Sequence, residues 1–139
     1  MKIAFATTGS GKVDEHFGRA GNFEVYEMKY TGCEFIERRT FSNEETTEIQ
    51  ESRNEGQLHI DKVEAKVEKL CDCKIIYFTQ IGGPAAARLV KRSVMPIKVD
   101  EGSVITELLQ NLQETIQKSP APWLKKALMD NTINHTEVQ

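Results

Sequence analysis

A chain of 139 residues, 39% hydrophobic and 28% charged, is sized for one hydrophobic core and composed like an ordinary globular protein. Its formal charge of −3 offers no general attraction to nucleic acid or to anionic membranes, and no apolar run approaches the roughly 18–20 residues that a membrane span needs. The three cysteines, Cys33, Cys71 and Cys73, are an odd number, with two of them too close in sequence to bridge easily. A disulfide framework is not expected, and a reducing cytoplasm is.

The opening "KIAFAT" (2–7) is a short apolar run that ends at Thr and Gly, which predicts a buried strand rather than a secretory signal. "NFEVYEMKY" (22–30) alternates, "TG" turns the chain, and "CEFIERRTF" (33–41) follows, so the pair predicts a β-hairpin. Residues 42–57 hold five glutamates and one aliphatic residue without a useful period, which reads as a long acidic loop, whether a solvated strap or a functional segment. "LHIDKVEAKVEKL" (58–70) sets Ile60, Val63, Val67 and Leu70 on one helical stripe. "KIIYFTQ" (74–80) is apolar on both faces, as a central strand covered by helices should be.

"GGPAAARLVKRS" (82–93) opens a helix with an early proline and closes it with basic residues. "MPIKV" predicts a short strand, placed at an edge by Pro96. "SVITELLQNLQETIQ" (103–117) predicts a helix capped by Ser103, with Val104, Ile105, Leu108, Leu112 and Ile116 inward. "SPAPWLKKALM" breaks at Pro120 and Pro122 and then offers a short helical tail that Trp123, Leu124 and Leu128 could dock, ahead of a frayed end. The division expected is therefore an α/β domain over 1–119 and a tail over 120–139.

The order β-β-β-α-β-α-β-α, with strand one in the middle beside strand four, describes a mixed five-stranded sheet flanked by helices, of the ribonuclease H-like kind. Ligands of open α/β sheets gather at the carboxyl ends of the parallel strands. That rim should collect the loop bearing His16, the "TQIGGP" turn (79–84), the acidic loop and His59. The three cysteines should fall at the other end.

"GSGK" (9–12) is a weak phosphate-loop signal. A Walker loop needs a glycine where Ala6 stands, a Ser or Thr where Val13 stands, and a helix next. Gly9 and Gly11 serve equally well to permit a tight turn. His16 is either a polar loop residue or a metal ligand; imidazole suits iron, and one histidine could anchor a cluster that brings its own sulfides, though it could not assemble one. His59 is either a helix-surface residue or a further metal ligand. Cys71-Asp72-Cys73 falls short of the four thiolates that autonomous iron–sulfur sites usually use. A nuclease would need several carboxylates at the sheet's centre, and strand one carries none.

"VDEHFGRAGNFEVYE" (13–27) together with "IGGPAAARLV" (81–90) resembles the dinitrogenase iron–molybdenum cofactor-binding family, and "PAPWLKKAL" (120–128) narrows the likeness to one branch of it. The similarity runs from Met1 to about Leu128. It implies a ribonuclease H-like domain without nuclease activity. It further implies a non-enzymatic carrier of iron–sulfur precursors of the iron–molybdenum cofactor, or of the cofactor itself. Partners would be other cofactor assembly proteins: the radical enzyme that makes the precursor and the scaffold that matures it. The family's H-F-G histidine corresponds to His16, the expected cluster ligand. Arg19 and Lys12 are added here as candidate cationic partners of an anionic cargo, and Gly82 and Gly83 as the helix start that offers free N–H groups. Relatives that bind apo-dinitrogenase carry a further N-terminal domain, and others a fused radical-enzyme portion; neither is expected in a chain that opens at strand one. The competing expectations are a cluster-free interaction or regulatory protein of the same fold, and, on "GSGK" alone, a nucleotide-binding enzyme.

Overall fold

The computed structural model of the chain describes residues 1–41, 55–118 and 122–126, the side chains of residues 55–62 excepted. Its elements run β1 (Lys2–Ala6), β2 (Lys12–Val13), β3 (Asn22–Lys29), β4 (Gly32–Thr40), α1 (Glu55–Leu70), β5 (Ile75–Phe78), α2 (Gly83–Lys91), β6 (Met95–Lys98), β7 (Ser103–Val104) and α3 (Ile105–Lys118). A helical turn at 122–126 follows. Residues 55–57, read as loop from the sequence, belong to α1; the remainder of the acidic stretch and the chain beyond 126 lie outside the described residues. No helix among the described residues is long and apolar enough to cross a membrane.

Five strands form one mixed sheet in the order β4-β3-β1-β5-β6. Central β1 pairs antiparallel with β3, from Lys2↔Glu27 to Ala6↔Phe23, and parallel with β5, from Ile3↔Ile75 to Phe5↔Tyr77. This is the expected topology, with β6 and its Pro96 at an edge.

The period of two in the strands sorts side chains into two cores. Ala4, Ala6, Val25, Ile76 and Phe78 face one side with Val63, Val67 and Leu70 of α1 and Ala85 and Leu89 of α2. Ile3, Phe5, Ile75 and Tyr77 face the other with Ile105, Leu109 and Ile116 of α3. Phe5 stacks on Tyr77 across the parallel pair, with ring centroids 4.9 Å apart. The sheet is thus covered on both faces, which is why β1 and β5 read as continuous apolar runs.

One expectation fails at the start of α3. Ser103 does not cap it: Ser103 sits in β7, its hydroxyl donates to the Asp100 carbonyl at 2.7 Å, and the helix opens at Ile105. β7 pairs antiparallel with β2, Lys12 opposite Val104 and Val13 opposite Ser103, and Ile105 N–H donates to the Gly11 carbonyl at 3.0 Å. This two-stranded ribbon ties the loop after β1 to the head of α3. Strands of two residues carry no readable period, so the sequence reading could not resolve them.

β4 is exposed over most of its length and is held at its far end by an ion pair. Arg39 donates to both Asp72 carboxylate oxygens, at 2.7 and 2.8 Å, and to the Lys69 carbonyl at 2.9 Å, while Lys2 approaches the same carboxylate at 3.2 Å. The Arg39 hydrogen bonds, with help from Lys2, hold the Asp72 carboxyl well below the usual carboxylate range against the opposing effect of burial. A depressed carboxylate stabilises the fold above its unfolded pKa and ceases to do so as pH falls through the folded one. Asp72→Asn should therefore lower the unfolding free energy by about 1 kcal/mol at neutral pH, a figure discounted for partial exposure. The gap to wild type should close as the pH is lowered from about 5 toward 2. Urea melts across that range check it; a gap independent of pH would remove the ion pair from the account.

Candidate functional site

The segment after β1 crosses the carboxyl end of the sheet from one face to the other. Val13 is buried in the α3-side core and Phe17 in the core under α1 and α2, both fully. The residues between them span the rim and are fastened to the end of β5. Thr79 N–H donates to the Glu15 carbonyl at 3.0 Å, and Phe17 N–H donates to the Gln80 carbonyl at 2.8 Å. His16 lies between those two ties and is partly exposed. Its own carbonyl accepts from Arg19 N–H at 3.1 Å and Ala20 N–H at 2.9 Å, closing a single tight turn.

The turn is held from below by a buried lysine. Lys66 Nζ donates to the carbonyls of Phe17 (3.0 Å), Gly18 (3.1 Å) and Ala20 (3.0 Å) and is 8% exposed. It also sits 5.7–5.8 Å from the ring centroids of Phe17, Phe23 and Phe41. A buried ammonium persists when its donors are satisfied; here they organise the backbone that presents His16. The sequence did carry a signal: Lys66 falls on the stripe of Val63, Val67 and Leu70, at i+3 from Val63, where an apolar residue would be expected.

The turn "TQIGGP" leads into α2. Gly82 is the N-cap, with no side-chain capping bond, and the helix's first turn holds no acid. The first intrahelical bond runs from Ala86 N–H to the Gly82 carbonyl at 3.0 Å, so the N–H groups of Gly83 and Ala85 precede the ladder. Neither Gly82 nor Gly83 has a positive φ, and a Cβ on Gly83 would meet nothing within 4 Å. Backbone conformation therefore does not demand glycine here; the two glycines leave the helix start bare and sterically open. Thr79, at the end of β5, is 8% exposed, and its hydroxyl is the one buried side-chain polar atom among the described residues without a hydrogen-bond partner.

The glycine loop is a structural turn. Gly9 (φ 103°) and Gly11 (φ 82°) occupy the left-handed region that glycine tolerates. The Asp14 carboxylate accepts from Thr8 N–H (2.8 Å), the Thr8 hydroxyl (2.6 Å) and the Ser10 hydroxyl (2.9 Å), lacing the loop shut. Burial pushes the Asp14 carboxyl up, but these hydrogen bonds outweigh it and the net shift is down. After Gly11 the chain enters β2, where a phosphate loop would start a helix, so the nucleotide-binding reading loses its structural support. Arg38, which the sequence reading passed over, packs against this loop: a Cβ on Gly9 would lie 3.2 Å from its guanidinium.

The remaining candidates divide. Arg19 is exposed on the turn that follows His16. Lys12 is exposed on β2, on the ribbon side, where its main chain pairs with Val104. The His59 side chain lies outside the described residues. Cys33 opens β4 beside the hairpin turn, opposite Met28, and Cys71 and Cys73 precede β5, as expected. Burial pushes the Cys73 thiol up to about 12, which leaves it protonated and a poor metal ligand. Among the described residues, no three His, Cys, Asp or Glu side chains converge in a group that could hold a metal ion.

Residues 1–115 match the family model described as "Dinitrogenase iron-molybdenum cofactor". The protein NifX of Herbaspirillum seropedicae is 36% identical over 140 aligned positions, covering 99% of this chain and 90% of that one. A segment of the FeMo cofactor biosynthesis protein NifB of Bradyrhizobium diazoefficiens is 27% identical over 88% of this chain, which accounts for 21% of that protein. Among solved structures, the crystal structure of PH0822 superposes with a TM-score of 0.59 at 16% identity, over 88% of this chain and 97% of that one, a likeness of fold.

Lys66→Met should lower the unfolding free energy by about 2–4 kcal/mol, because three carbonyls lose a charged donor. It should also speed amide exchange at Arg19 and Ala20. Denaturant melts and exchange measured by NMR check both; unchanged protection of that turn would show that the ammonium does not organise it.

Proposed function

The chain belongs to the dinitrogenase iron–molybdenum cofactor family, and on that footing we propose that it acts in nitrogen fixation as a non-enzymatic carrier of iron–sulfur precursors of the iron–molybdenum cofactor, or of the cofactor itself. The observation that carries the reading is the rim of β1 and β5. A partly exposed His16, fixed on both flanks by backbone bonds to residues 79 and 80, neighbours an uncapped and sterically open helix start. An imidazole is a competent iron ligand, and helix-start N–H groups favour an anion, which a sulfide-bridged cluster is.

In this reading His16 coordinates the cargo and the N–H groups at Gly82–Gly83 and beyond face its sulfides. Arg19 and Lys12 add positive charge at the approaches. The cargo is a substrate passing through, received from the radical enzyme that makes the precursor and given up to the maturation scaffold, in the cytoplasm. Residues 1–119 form the binding domain and 120–139 an appended tail. We read the sheet as of the ribonuclease H-like kind; its strand order, with the ribbon set aside third, second, first, fourth, fifth, supports that reading. The related NifX protein and the matching segment of NifB, the latter named for cofactor biosynthesis, support the setting.

Anaerobic titration of the chain with the isolated precursor cluster, followed by visible absorption, tests the proposal. Wild type should saturate, and His16→Ala should weaken binding by roughly tenfold or more. Gly83→Val should also weaken it without unfolding the protein. Equal binding by His16→Ala would remove that residue as ligand. Failure of wild type to bind, with a stable protein complex recovered instead, would favour the cluster-free interaction protein.

A further inference from the structure

Within the motif "PAPWLKKAL", which takes no part in the rim site, the described residues 122–126 have a definite place. Leu124 is 2% exposed within the α3-side core and anchors the helical turn at 122–126. Trp123 and Lys126, three residues apart on that turn, line a cavity of about 330 Å³. Lys74 just before β5, Ser93, Val94 and Met95 at the head of β6, and Val90 in the last turn of α2 line it too. The cavity therefore lies at the opposite end of β5 from His16.

We propose that this cavity is a docking site for a segment of a partner protein bearing large aliphatic side chains flanked by carboxylates. Charge gives the first reason. Among the described residues two lysines and no acidic residue line the cavity, and neither Lys74 nor Lys126 forms an ion pair. The second is apolar surface. Val90 is 61% and Trp123 40% exposed, so the apolar wall continues past the mouth, which suits an extended chain better than a compact small molecule. The third is the character of the neighbouring sheet edge. Met95 and Val99 turn their N–H groups inward to Lys74 and Phe78, and Pro96, between them, has none to offer outward. Strand addition along β6 is thereby impaired, and recognition falls to side chains entering the cavity.

Trp123 is the chain's single tryptophan, so its emission reads occupancy directly. The probe is an acetylated and amidated Glu-Glu-Leu-Leu-Glu-Glu peptide, with Lys-Lys-Leu-Leu-Lys-Lys as its charge-reversed control. The acidic peptide should shift the emission saturably and the basic one should not. K74E/K126E should weaken binding by about tenfold or more, and raised ionic strength should weaken it in wild type, a readout that needs no variant. His16→Ala should bind the peptide as wild type does, so this result stands apart from cluster binding at the rim. The proposal is overturned if the acidic peptide produces no saturable change, or if K74E/K126E binds it undiminished. It is also overturned if octanoate saturates at lower concentration than the peptide, which would mark a small-molecule site, or if dilution of the protein alone moves the emission, which would mark a second copy as occupant.

Discussion

The crossing of the sheet's carboxyl rim between Val13 and Phe17 is the constraint on which the candidate site depends. Two fully buried side chains, in opposite cores, fix the ends of a very short span. The backbone between them cannot drift, because Glu15 and Phe17 are bonded to residues 79 and 80. The Lys66 ammonium then gathers three carbonyls of the following turn. A charge is costly to bury, and its retention here is explained by the backbone it organises. His16 is consequently a loop residue by assignment and a framework residue by restraint. Only its side chain and one neighbouring rim, the start of α2, are left open.

The same rim shows what a sequence can and cannot disclose. The sheet order was legible because Ile3, Phe5, Ile75 and Tyr77 alternate with Ala4, Ala6, Ile76 and Phe78, and a strand apolar on both faces must be covered twice. The bare start of α2 was legible from "GGP". The ribbon was not, since Lys12–Val13 and Ser103–Val104 are too short for any period, and Ser103 imitates an N-cap well enough to mislead. Lys66 was missed for a different reason. A lysine within an amphipathic helix is ordinarily read as solvated, and only its position on the stripe distinguishes it. Thr79 and Arg38 owe their interest to tertiary contact alone, which local pattern cannot carry.

The two ends of β5 have opposite characters. At its carboxyl end an imidazole and the N–H groups that precede the bonding of α2 border the rim. At its amino end two lysines without an ion pair among the described residues and an exposed indole help to line a cavity. The proposed cargo and the proposed partner would therefore not compete for surface. The core between them gives it a rigid base: β1 and β5 are buried on both faces, and the Arg39–Asp72 pair ties the outer strand β4 to the turn before β5.

Transfer imposes a limit on how well a carrier can bind. A closed set of several side-chain ligands would lower the free energy of the loaded state and raise the barrier to release by the same amount. Among the described residues the rim offers one imidazole, with the remaining contacts coming from backbone N–H groups whose hydrogen bonds to sulfide are individually modest. The thiols, which would bind iron most tightly, are kept away: Cys73 is buried with its pKa pushed up to about 12, and Cys33 sits at the hairpin end of the sheet. On the proposed reading, a rigid seat with an incomplete ligand set would lose little conformational entropy on loading and would leave coordination positions for the next protein to fill. In the proposed carrier, selectivity comes from the shape of the rim and from the partner proposed to dock at the far end of β5.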